Sequence, residues 1–86
     1  MNVPEMAALA RDHWKKTDPE LYLKLKQVGD LEKGSEAAAK LTLAEMKSLM
    51  LIKIPGQEAW QESRHLFIFR TKDQLREDFP DYIQED

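Results

Sequence analysis

Apolar residues recur along this chain at intervals of three and four, the spacing of one face of an α-helix, and turn-forming residues cut the pattern into segments. Met6, Leu9, Ala10, His13 and Trp14 share one side of a first helix that Pro4 suits as an opening residue. That helix ends near Lys16, because the residue before Pro19 is pushed away from helical angles. Asp18 caps a second helix with Pro19 in its first position and Glu20 at the positive end of the dipole. Leu21, Tyr22, Leu25 and Val28 form its inward face, and Gly29 is its left-handed terminator. Leu21, Leu23 and Leu25 also alternate with period two, but the strong cap and the lack of β-branched residues favour helix.

Leu31 begins a weaker segment that Gly34 interrupts; Ser35 recaps it ahead of the alanine-rich run 36–40. The stretch Leu41–Ile54 is the centre of the pattern. Thr42 and Glu45 have the spacing of a capping box, and Leu41 with Met46 that of a hydrophobic staple, so a new helix is expected to start there. From Leu43 onward Met46, Leu49, Met50 and Ile54 keep helical spacing, while Leu51 and Ile52 widen the stripe until the helix is apolar nearly all round. Such a helix needs cover on several sides.

Pro55–Gly56 breaks the chain, and Gln57–Ile68 reads as a helix with Ala59, Trp60, Ser63 and Phe67 on one side. Thr71 and Gln74 form a second capping box for a short helix through Leu75, which Phe79–Pro80 closes. The reading is all-α: four to five short helices in one domain over residues 1–80, followed by a frayed acidic tail, 81–86. Its rival is an α+β fold in which residues 51–54 pair with 66–69 as a hairpin, since HLFIFR has the aromatic and branched content of a strand.

Composition narrows the function classes. With no cysteine there is no disulfide framework or thiolate metal site, no apolar run approaches the ~20 residues of a membrane span, and the first residues carry acids where a secretory signal carries bases. A cytoplasmic protein without a membrane anchor is expected. The net charge of −3 is uneven: residues 1–53 hold nine Lys and Arg against eight Asp and Glu, and residues 54–86 hold four against eight. Neither part offers the concentrated basic face that phosphate backbones require, so nucleic acid is disfavoured as a partner.

Four groups of residues invite chemistry. Glu58, Glu62 and His65 lie one turn apart on one helix face, half of a di-iron ligand pattern, but no second Glu-x-x-His completes it; an exposed polar face is the expectation, with no cofactor. His13 beside Trp14 lacks a nucleophile placed for it, and no phosphate loop or nucleophile elbow occurs, so no enzyme activity is expected. Residues 35–54 have the outline of a helix-turn-helix with Leu41–Thr42 as the turn, which keeps a DNA-associated regulator as the alternative, although the second helix would offer only Lys47 and Lys53 as cations and would expose Met and Leu to the groove. Trp14, Tyr22, Trp60, Phe67 and Phe69 are expected in the core. Leu49, Met50, Leu51 and Ile52 remain as the candidate interface, for a second copy of the chain or another protein.

The order Trp14-Lys-Lys, Pro19-Glu-Leu-Tyr22, Leu25, Val28-Gly29-Asp-Leu31, an alanine run and then Glu58-Ala-Trp60 resembles the small transposon-encoded TnpV-type proteins over the N-terminal half. The likeness departs from that family at LIKIPG and the phenylalanine-rich run. It implies a helical accessory protein of a mobile element and carries over no functional residue.

Overall fold

The computed structural model describes residues 2–83, and every regular element among them is a helix: α1 (Val3–Thr17), α2 (Pro19–Gln27), α3 (Leu31–Leu51), α4 (Gly56–Phe67) and α5 (Lys72–Asp78). The ends follow the local chemistry. Asn2 caps α1 by accepting from the Glu5 N–H at 2.9 Å, Asp18 caps α2 through the Leu21 N–H at 3.3 Å, and Thr71 and Gln74 complete their capping box on α5. Gly29 ends α2 at φ +81°. Val28, expected on the inward face of α2, is half-exposed because it falls on the cap where the chain turns away.

Residues 31–51 are one helix of 21 residues, with no break at Gly34 and no fresh start at Thr42. The expected capping box and staple at residues 41–46 do not form. Thr42 is buried in mid-helix and its hydroxyl donates back to the Ala38 carbonyl at 2.8 Å, the alternative open to a threonine inside a helix. Ser35 likewise donates to the Glu32 carbonyl at 3.0 Å and accepts from Arg11 Nη1 at 2.9 Å, tying α3 to α1. Gly34 sits inside the helix with the Phe79 ring packed closely beside it: a Cβ there would stand 3.4 Å from the ring, at the tight edge of ordinary contact. With Leu41–Thr42 inside a continuous helix, residues 35–54 do not form a helix-turn-helix.

The buried positions of α3 are Leu31, Ser35, Ala38, Ala39, Thr42 and Met46, spaced to make one stripe and mostly small. α3 packs along α1 on one side and α4 on another, and those helices also offer small residues, Ala7 and Ala10 from α1 and Ala59 and Ser63 from α4. Larger side chains, among them Met6, Trp14, Leu21, Leu25, Ile68 and Leu75, complete the core. Small side chains let the axes approach; the large ones fill what the approach leaves open.

No hairpin forms between residues 51–54 and 66–69, and no strand occurs among the described residues. The physical reason lies in α1. Trp14 Nε1 donates to the Ile68 carbonyl at 3.0 Å and His13 Nε2 to the Arg70 carbonyl at 2.8 Å, so side chains satisfy the groups that a strand would have paired across a ladder. Ile68 is fully buried below them, and Phe69 stands edge-on to His13 with ring centroids 5.2 Å apart.

A buried ion pair closes the fold. Arg76 of α5 grips both carboxylate oxygens of Asp18, with Nη2 at 3.0 Å from Oδ1, and leaves its own side chain 22% exposed. Burial alone would raise the Asp18 carboxyl, but bonds from Arg76 and the Leu21 N–H, with the charges of Arg76 and Lys72, outweigh it and hold the group below the usual carboxylate range. The tail expected to fray from Asp81 is held at its start: Tyr82 donates to Asp30 Oδ2 at 2.6 Å and meets Phe79 edge-on. That bond to a carboxylate raises the phenol, with burial and nearby acids adding to it. The rest of the expected tail, 84–86, lies outside the described residues.

Arg76→Met strands the Asp18 charge and is expected to cost about 2 kcal/mol at neutral pH, below the ~3–5 kcal/mol of a fully enclosed pair because Arg76 is partly wet. A carboxyl with a depressed pKa stabilises above its unfolded value, and that contribution fades as the pH falls through the folded one. The gap between variant and wild type in urea unfolding should therefore close below about pH 4; a gap that stays constant down to pH 2.5 contradicts the assignment.

Candidate interaction surface

The end of α3 is built by a hydrogen-bonded terminator. Lys53 N–H bonds the Met50 carbonyl at 3.0 Å and Ile54 N–H bonds the Leu49 carbonyl at 3.2 Å, the paired pattern of a Schellman motif. Lys53 occupies its left-handed position at φ +71°. The same motif ends α2, where Gly29 N–H bonds Lys26 and Asp30 N–H bonds Leu25, but there the left-handed residue is a glycine. A lysine in that conformation carries a strain of roughly 1 kcal/mol, partly offset by placing a cation at the negative end of the dipole.

The terminator sorts the four residues of the candidate interface. Leu49 and Ile54, at the positions that normally touch across this motif, are half-buried and packed on the core. Met50, Leu51 and Ile52 point away from it, at 50%, 85% and 70% exposure. The rod expected to be greasy all round is therefore covered along Leu43, Met46 and Leu49 and bare at its tip.

Beside the tip runs a groove of about 480 Å³ between α3 and α4, with Leu43, Met46 and Met50 on one wall, Gly56 and Trp60 on the other and Lys47 at the rim. Gly56 faces Met50 across it: a Cβ added there would stand 3.8 Å from the Met50 methyl, an ordinary contact. Trp60, read from the sequence as core, is only half-buried, one edge against Phe69 and the rest toward the groove. No sequence signal marks this groove, because it depends on where Pro55 turns the chain back. A second groove of about 330 Å³ lies between α3 and the α4–α5 corner, where Leu41 and Leu66 are half-exposed.

The residues considered for catalysis are dispersed or already engaged. His13 spends Nε2 on the Arg70 carbonyl, with Thr17 Oγ1 at 3.1 Å from the same nitrogen. Glu58, Glu62 and His65 are all exposed on the outer face of α4, and no group of three potential metal ligands gathers among the described residues. Ser63 Oγ is buried without a hydrogen-bond partner among the described residues, and its side chain has no exposed surface from which to attack a substrate. No helix among the described residues is long and apolar enough to cross a membrane. No family model, curated protein or solved structure matches the chain.

Replacing Lys53 by glycine removes the left-handed strain and is expected to raise the unfolding free energy by about 0.5–1 kcal/mol. Lys53→Ala keeps the strain and should give no gain. A loss of stability in Lys53→Gly, as at an ordinary helical position, would contradict the terminator geometry.

Proposed function

We propose that this chain is a small non-enzymatic protein-interaction module of the cytoplasm whose contact surface is the bare end of α3 together with the groove beside it. The observation that carries the reading is the exposure of Leu51 at 85% and Ile52 at 70% next to a groove lined by Leu43, Met46 and Trp60. Single exposed leucines are common on proteins, but adjoining apolar side chains set against an apolar groove are typical of surfaces that partners cover. Leaving both in water forgoes roughly 3–5 kcal/mol of burial, which a partner can recover.

Two further features support the reading. The chain turns directly after the pair through Lys53 in a left-handed conformation that favours glycine, and strain of this kind concentrates at sites of function. The patch also carries little charge, which suits a protein surface better than a phosphate backbone.

A photoreactive phenylalanine in place of Leu51, activated in living cells, is expected to give discrete covalent adducts to protein, whereas the same residue in place of the exposed Glu36, about four turns upstream on α3, gives none. Equal labelling from both positions, or none from either, would contradict the docking reading.

A further inference from the structure

We propose that the partner on this surface is a second copy of the chain, docked about a two-fold axis so that Leu51 and Ile52 of each copy fill the α3–α4 groove of the other. The inference rests on the docking reading above and adds the identity of the occupant.

Three observations point to self-pairing. The first is shape: the projecting pair and the recess belong to one continuous patch, since Met50, which lines the groove, directly precedes Leu51. A two-fold contact requires that arrangement, because one patch must supply both the knob and the hole. The second is charge. From Glu45 to Trp60 the chain carries two lysines, Lys47 and Lys53, and two glutamates, Glu45 and Glu58, so two copies meet there without net repulsion. Elsewhere the second half of the chain is strongly acidic, with four cations against eight acids over residues 54–86, and like faces would repel.

The third is area. A stable dimer buries about 800 Å² on each partner, roughly one-seventh of the 5790 Å² surface of this chain. The molecule measures 47 by 22 by 18 Å, so an end-on contact offers a cross-section of only about 400 Å², half of what is needed. Laying the copies side by side along each other's α3–α4 groove brings the 47 Å length of the molecule into the contact and adds the Leu43 and Trp60 walls, which lifts that limit.

The chain has no cysteine, which makes engineered cross-links unambiguous. Sedimentation velocity on the full chain from about 1 to 200 μM is expected to show a dimer that dissociates on dilution, with Leu51→Asp weakening it at least about tenfold and leaving the helical circular dichroism unchanged. Leu51→Cys chain mixed with Gln57→Cys chain under mild oxidation should form the mixed disulfide faster than either forms with itself. A monomer at every concentration overturns the proposal. So does a dimer insensitive to Leu51→Asp, or one in which like-with-like disulfides prevail. If the purified chain is monomeric while the photoreactive residue at position 51 still captures a different protein in cells, the second copy is excluded and the docking reading stands; capture of nothing removes both.

Discussion

The constraint on which the structure depends is that α3, a single helix of 21 residues, has to be covered along two sides by helices much shorter than itself. It meets this with a stripe of small residues, Ser35, Ala38, Ala39 and Thr42, against which α1 and α4 settle closely. Two polar members of the stripe are tolerated because each hydroxyl is satisfied within its own helix, on the Glu32 and Ala38 carbonyls. Cover of that stripe runs as far as Met46 and stops about a turn short of the end of the helix.

Around that axis the remaining elements are held by a few directed bonds. Trp14 and His13 fix the carbonyls of the chain leaving α4, and Arg76 reaches back from α5 to the buried Asp18 that also starts α2. One aspartate thus caps a helix and anchors another, so the N-terminal hairpin and the C-terminal helix are expected to depend on each other for stability.

Much of this was legible in the residues, and the failures are instructive. Asp18, Gly29 and the Thr71–Gln74 box announce their roles because the chemistry of a helix end is local. The Thr42–Glu45 box carries the same spacing and is misleading: an alanine-rich helix arriving from upstream gives the threonine a carbonyl to bond four residues back, and no end forms. The strand-like run before Arg70 kept a rival hairpin in view, and the helical reading held: the carbonyls that follow α4 are taken by side chains more than fifty residues away. Exposure at Leu51 and Ile52 was readable only as an excess of apolar residues. Which side chains would stay outside was decided by the left-handed turn at Lys53, a residue with no preference for that conformation.

The unbroken span of α3 through Leu41–Leu43 underlies both the packing and the placement of the bare tip, and amide hydrogen exchange tests it most directly. The account predicts that the amides of residues 39–48 form one block, protected to the free energy of global unfolding, without a dip across Leu41, Thr42 and Leu43. Fast exchange confined to those three amides, with slower exchange on either side, would show two helices meeting at a turn and contradict it.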